Sequence, residues 1–336
     1  MELPEHVRVS LGSAMVLDLL EGKLDAAPTT AYLMTYRKGK CIANCGFCPQ
    51  ASGSTGRADM LSRVSWPVYR TEFVLAGLEN SFRNGRMKRA CIQALNYQGA
   101  FTDLPALIHA IRKRTGMPVS VSCQPLDSGN VHKLAEAGAE RIGIPLDAAT
   151  KEIFNKVKGS SAGGPYSWER QLKLLKEAVG VFGQGKVSTH LIVGLGETEL
   201  EMANIIQRCF DMGVLPALFA FTPVPGTSLQ RAAQPSVQKY RRMQVARYQI
   251  VHKVAGFEDM HFDRNSCLSD FGIGKEALSR IIQGGGPFLT SGCPNCNRPY
   301  YNEKPSGPIY NYPKELSERE LAEVRMQLNL EKLQPL

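Results

Sequence analysis

Residues 37–50, R-K-G-K-C-I-A-N-C-G-F-C-P-Q, hold three cysteines, Cys41, Cys45 and Cys48, at C-x3-C-x2-C spacing. Thiolates are soft ligands that suit iron–sulfur clusters. A four-iron cubane held by three protein thiolates keeps one iron free of protein, and that iron can hold a small chelating molecule. A structural zinc ion wants four ligands, and no fourth Cys or His lies nearby. A disulfide knot wants an even count and a small secreted chain. A second group lies far downstream: Cys293 and Cys296 in C-P-N-C, with Cys267 before them in D-R-N-S-C. These three thiolates suffice for a second cluster, although C-x2-C alone is ambiguous between iron–sulfur and zinc.

With 43% hydrophobic residues the 336-residue chain can bury a full core, as one large domain or two ordinary ones. No apolar run reaches the length of a membrane span. The opening M-E-L-P-E-H-V lacks a basic region followed by an apolar one, so no signal peptide is expected. Nine cysteines, with five in two close groups, point to reduced, metal-binding thiols in the cytoplasm rather than disulfides. The net charge of +9 and pI of about 9.1 are compatible with nucleic acid. The basic residues are scattered, however, apart from short groups at Lys38/Lys40, Arg112-Lys113-Arg114 and Arg241-Arg242. A solvated basic surface that docks an acidic protein is expected in preference to nucleic-acid binding.

The elements that must position these groups alternate apolar runs with amphipathic stretches, which predicts βα units around a parallel sheet. Strands read at 31–36, 89–95, 118–123, 141–146, 187–193 and 217–221, with a weaker one at 258–262. Helices read at 67–83, 103–114, 129–137, 167–182, 198–212, 236–253 and 275–283. Gly138 ends one of them as a C-cap and Ser167 starts the next as an N-cap. Six or seven βα units predict an α/β fold, a (β/α)8 TIM-type barrel or near-complete barrel. Its chemistry is expected at the C-terminal ends of the strands, where the first cysteine loop falls. The predicted organisation is an N-terminal helical segment (1–28, with a helix over 13–24), a barrel (29–283) and an irregular, cysteine-containing C-terminal extension (284–336). The extension opens on the breaker G-G-G-P and closes with a helix over 315–331. Loops this long are functional or disordered, and the tyrosines and cysteines argue for order.

With Phe47 directly before Cys48, the loop reads C-x3-C-x-(aromatic)-C. It resembles the signature of the radical S-adenosylmethionine (SAM) superfamily, and Pro49-Gln50-Ala51 makes it similar to the biotin-synthase-like branch, over roughly residues 30–270. The resemblance implies a SAM-binding 4Fe-4S cluster on Cys41, Cys45 and Cys48, SAM itself and an external electron donor. It implies a 5′-deoxyadenosyl radical that takes hydrogen from an unactivated carbon, with the protein positioning the cofactor. It places Phe47, Gln93, Ala94 and Leu95 beside SAM, the last three at its amino group. It places Asp147 near the ribose or substrate, and H-L-I-V-G-L-G-E (190–197), including Gly194 and Glu197, near the adenine. On the residues alone, Gly194 and Glu197 also read as a strand-to-helix turn with an acidic helix start, and Asp147 as a plain N-cap. Biotin synthase carries a second, sulfur-donating cluster inside its barrel. Cys91 and Cys123 match two of its three cysteine ligands, but the third falls at Ser188 and its arginine ligand has no counterpart. Cys91 and Cys123 therefore also read as ordinary buried thiols, and Cys209, in mid-helix, as core.

The tail segment C-P-N-C-N-R-P-Y-Y-N-E (293–303) resembles the two-protein lipoyl synthases found mainly in archaea. In those systems two paralogues insert sulfur at two carbons of an octanoyl chain on the lysine of a lipoyl-carrier protein. The likeness implies a paralogous biotin-synthase-like subunit and the lipoyl-carrier protein as partners. It implies an auxiliary Fe-S cluster on Cys267, Cys293 and Cys296, sacrificed as the sulfur source. Arg264 and Arg298 then hold that cluster or orient the acyl-lysine, or are surface cations, and the aromatic segment caps the barrel. Alternatives are biotin synthase, a radical mutase of the methylornithine-synthase kind that leaves the tail cysteines to zinc, and a noncatalytic metal-binding subunit serving a paralogue.

Overall fold

The structure, a computed structural model, describes residues 2–303 and 306–329. The chain begins with strand β1 (His6–Val9), helix α1 (Leu11–Val16) and strand β2 (Thr30–Thr35). A small hairpin of β3 (Met60–Leu61) and β4 (Val64–Ser65) precedes β5 (Val68–Arg70) and α2 (Thr71–Arg83). Strand and helix then alternate through β6 (Arg89–Gln93), α3 (Ala100–Thr115), β7 (Val119–Ser122), α4 (Ser128–Glu136) and β8 (Arg141–Gly143). The paired helices α5 (Lys151–Val157) and α6 (Trp168–Phe182) lead to β9 (Val187–Val193), α7 (Glu199–Asp211), β10 (Val214–Ala220) and α8 (Val237–Val251). Last come β11 (His261–Phe262), β12 (Leu268–Asp270), α9 (Lys275–Gln283) and α10 (Glu318–Leu328).

One eight-stranded sheet runs in the order β10-β9-β8-β7-β6-β2-β1-β5. From β2 to β10 every neighbouring pair is parallel. β1 lies antiparallel to both β2 and β5. This is the expected α/β barrel in its near-complete form, with six parallel strands. Strands covered on both faces read as continuous apolar runs, and all six residues of β2 are buried. In β9 burial alternates along the strand. Val187, Thr189, Leu191 and Val193 pack outward under the helices, and Ser188, His190 and Ile192 face the interior cavity, as the two-residue strand period requires.

Three sequence expectations need correction. The weak strand at 258–262 becomes a 3-10 turn (Phe257–Asp259) followed by β11, which pairs only with β12 and lies outside the barrel sheet. The cause is the D-R-N-S turn, where the Asp263 carboxylate accepts the N–H groups of Asn265 (2.8 Å) and Cys267 (2.9 Å) and reverses the chain. The N-terminal helix stops at Val16 instead of running to 24. Asp18 takes a left-handed conformation (φ 59°), which ends a helix, and its carboxylate chelates Arg86. The basic pair Arg241-Arg242 is not a solvated patch. Arg241 is fully buried and donates to the carbonyls of Tyr310 (2.7 Å) and Ile309 (2.5 Å), while Arg242 pairs with Glu199.

The C-terminal extension is part of the barrel wall. Ser291 Oγ accepts the Leu218 N–H of β10 at 2.8 Å, and Asn297 Oδ1 accepts the Thr29 N–H just ahead of β2 at 3.0 Å. Further along, Thr222 Oγ1 donates to the Asn302 carbonyl at 3.1 Å, at the far end of β10. The segment thus rises between β10 and β2, where the parallel strands leave a gap. Among the described residues no helix is long and apolar enough to cross a membrane.

Candidate radical and thiol centre

The barrel encloses a cavity of about 500 Å3. Its mouth is built by the loop after β2. Lys40 Nζ donates to three carbonyls, of Pro49 (2.9 Å), Gly56 (2.7 Å) and Ser54 (2.5 Å), and so draws the loop into a ring. Gln50, 1% exposed, donates to the carbonyls of Ala58 and Met60. The turn at 222–226 packs onto the same ring, and a Cβ on Gly226 would stand only 2.2 Å from the Gly56 nitrogen. Held this way, Cys41, Cys45 and Cys48 all line the cavity.

Cys41 Sγ accepts the Asn96 N–H at 3.2 Å. Burial pushes the Cys48 thiol up to about 12, against the opposing pull of the Gln50 and Ala51 N–H groups. Burial also pushes Cys45 up, with the Lys158 ammonium opposing it. Backbone N–H donors and a nearby cation are the groups that stabilise thiolate sulfur. Among the described residues no three His, Cys, Asp or Glu side chains are close enough to share a single metal ion. Three soft thiolates beside N–H donors fit a polynuclear cluster, whereas a structural zinc ion wants four ligands.

Phe47, Gln93, Ala94, Leu95 and Asp147 also line the cavity. Past the end of β6 the backbone stays extended, with Ala94 N–H on the Ser122 carbonyl (2.8 Å) and Leu95 N–H on Thr35 Oγ1 (2.9 Å). Asp147 does not cap a helix; Thr150 does that for α5. It sits 6% exposed in a left-handed conformation (φ 68°) and accepts from Lys158 Nζ at 2.5 Å. Lys158 is itself fully buried and also donates to the Pro145 carbonyl (2.6 Å).

Gly194 and Glu197 lie off the cavity wall. The Glu197 carboxylate accepts the N–H groups of Gly194 and Leu195, both at 2.8 Å, and pairs with Lys239 at 2.8 Å. This braces the turn into α7, which is the local reading of G-L-G-E. Arg264 and Cys267 sit in the β11–β12 turn, away from the cavity, with Arg264 exposed. The structure therefore does not bring Cys267 to Cys293 and Cys296. Those two line the cavity together with Arg298. Cys296 Sγ stands 3.2 Å from Tyr32 Oη, and Cys293 Sγ 3.4 Å from Ser120 Oγ.

Lys158, Tyr166, Asn96 and His190 are among the cavity-lining residues that the sequence did not assign to the site. Only His190 carried a sequence signal, as the head of the H-L-I-V-G-L-G-E strand. Burial lowers the His190 imidazole to about 4, with Arg298 and Lys158 adding to the effect and Asp147 opposing it. The ring is neutral at pH 7 and packs on Phe219 at 4.7 Å.

The radical SAM superfamily description matches residues 37–209. The chain belongs to the radical SAM superfamily, a family of SAM-dependent enzymes. A biotin synthase from Sulfurihydrogenibium sp. (strain YO3AOP1) is 25% identical over 238 residues, 66% of this chain and 66% of that enzyme. One from Buchnera aphidicola subsp. Schizaphis graminum is 24% identical over 59% of this chain and 56% of that enzyme. The match thus spans 56–66% of the length of these relatives. Among solved structures, methylornithine synthase (PylB) superposes with a TM-score of 0.51 at 14% identity, covering 92% of this chain and 83% of that one. The FeFe-hydrogenase maturase HydG from Carboxydothermus hydrogenoformans gives 0.51 at 16% identity, over 67% of this chain and 52% of that one. The fold is that of a radical SAM barrel, and family membership implies a 4Fe-4S cluster and SAM.

Proposed function

We propose that this chain inserts sulfur into the octanoyl chain of a lipoyl-carrier protein, as one subunit of a two-protein lipoyl synthase. The observation that carries the reading is that two separate thiol groups open onto one cavity: Cys41, Cys45 and Cys48 at its mouth, Cys293 and Cys296 at its floor. Between them the wall includes Met34, Leu61, Val64, Trp66 and Phe219, which suits an unfunctionalised alkyl chain. When bound, the first cluster supplies the electron that cleaves SAM to methionine and a 5′-deoxyadenosyl radical. The residues of this chain do the rest. Cys41, Cys45 and Cys48 would hold the cluster, Gln93, Ala94 and Leu95 would line the place for the methionine amino group, and Lys40 braces the loop that carries the three cysteines. The net charge of +9 supports docking of an acidic carrier domain.

The test is an anaerobic single turnover. Chain and paralogue are reduced with dithionite and given SAM and an octanoyl-lysyl carrier domain, and 5′-deoxyadenosine and the thiolated carrier are then followed by mass spectrometry. Appearance of 5′-deoxyadenosine with an unchanged carrier overturns sulfur insertion. A second reading, biotin synthase, is favoured by Cys91 and Cys123 both facing the cavity. Conversion of dethiobiotin in the same assay would establish it.

A further inference from the structure

Tyr32, Cys91 and Ser120 stand side by side across three neighbouring strands. Tyr32 of β2 is in register with Cys91 of β6, and Cys91 with Ser120 of β7. Adjacent strands lie about 4.8 Å apart and residues in register share a face, so the row spans about 10 Å of the interior wall. The tail delivers its two thiols to the ends of this row. Cys296 Sγ meets Tyr32 Oη at 3.2 Å and Cys293 Sγ meets Ser120 Oγ at 3.4 Å. Cys91 occupies the middle, facing the same cavity, with Gln93 Nε2 donating to its sulfur at 3.2 Å.

The tail loop is shaped for this approach. A Cβ on Gly292 would come within 3.0 Å of Cys296 Sγ, so glycine leaves the sulfur its space. Asn295, Arg298 and Tyr300 all hold left-handed backbone (φ 64°, 30° and 53°). Such residues cost about 1–3 kcal/mol each and persist where the surroundings impose them. Arg298 N–H donates to Tyr32 Oη at 3.0 Å, and its guanidinium lies 3.8 Å over the Phe219 ring. Among the described residues Arg298 Nη2 is buried without an acceptor.

We infer that Cys91, Cys293 and Cys296 together ligate a second iron–sulfur cluster on the barrel floor, with Arg298 as the adjoining cation, and that Cys267 takes no part. The row places three thiols along one wall of one cavity, and a polynuclear cluster presents separate irons to separate thiolates. The buried Nη2 then has an anionic neighbour. Use of this cluster as the sulfur source rests on the lipoyl synthase reading; its ligand set rests on the geometry alone.

The test isolates the floor site. A C41S/C45S/C48S variant is loaded anaerobically with ferrous iron and sulfide, and iron, acid-labile sulfide and the electron paramagnetic resonance of the reduced protein are measured. The expected result is that the triple variant retains a cluster. Adding C91S or C293S abolishes it, while adding C267S leaves iron and sulfide unchanged. Circular dichroism and melting temperature confirm that each variant is folded, and C296S replaces any variant that is not. Loss of the cluster with C267S, its retention with folded C91S, an iron-free triple variant, or one zinc per chain at the floor would each overturn the inference. A floor cluster that survives while the carrier stays unthiolated sinks only the sulfur-donor reading.

Discussion

Replacing Asp147 by alanine removes the carboxylate that, among the described residues, pairs with the fully buried Lys158 ammonium. Lys158 is 0% exposed and Asp147 6%, and Lys158 Nζ has two acceptors, Asp147 Oδ2 at 2.5 Å and the Pro145 carbonyl at 2.6 Å. Asp147→Ala leaves the cation with one neutral acceptor. Breaking a buried pair by removing one partner costs about 3–5 kcal/mol. With an unfolding entropy of about 2.1 cal/mol/K per residue over 336 residues, that is a fall in melting temperature of about 4–7 °C. The measurement is the thermal unfolding of the cluster-free chain, so that iron binding does not enter. The double variant Asp147→Ala/Lys158→Met removes both charges and recovers much of the loss, because an apolar replacement of a whole buried pair is often near neutral. A single variant that melts within about 1 °C of the parent, or a double variant whose loss equals the sum of the single losses, refutes the reasoning.

Cys48→Ser is expected to lose about four irons per chain, the content of one cubane, together with all SAM cleavage, as read by iron analysis and 5′-deoxyadenosine. Gly226→Ala must place a Cβ 2.2 Å from the Gly56 nitrogen on a residue with φ 82°. It is expected to destabilise by at least about 2 kcal/mol and to open the 49–58 ring to protease. His190, whose folded pKa of about 4 lies below the ordinary value of about 6.5, takes up its proton in the unfolded chain first. Stability should therefore fall as pH drops from about 6.5 toward 4, and His190→Phe should flatten that part of the stability-versus-pH curve.

The parallel strands were legible because covered strands are apolar runs: 187–193 is β9 to the residue, and 31–36 is β2 shifted by one. β1 escaped notice because H-V-R-V is four residues long, and α5 because K-E-I-F-N-K-V is too short to show a helical period. The cysteine loop was readable because its three ligands lie within one short local pattern. The floor site was not, since Cys91 meets Cys293 and Cys296 only through strand register and a tail that returns across the barrel. Cys267 was grouped with them because it is the nearest cysteine before them in the sequence, but the turn closed by Asp263 holds it elsewhere. Glu197 read equally as a turn brace and as a ligand from sequence, and its three partners in the structure assign it to the turn.

The wall between β10 and β2 is supplied by residues 291–302, far downstream in the chain from β2. Until Ser291 reaches the free edge of β10 and Asn297 reaches Thr29, a nascent chain on the ribosome holds the Cys41–Cys45–Cys48 loop in a trough open along one side. Because polypeptides fold from the N-terminal end as they emerge, the first thiol group takes its place on the chain before Cys293 and Cys296 are made. The fold therefore separates the making of the first thiol loop from the closing of the seam over it.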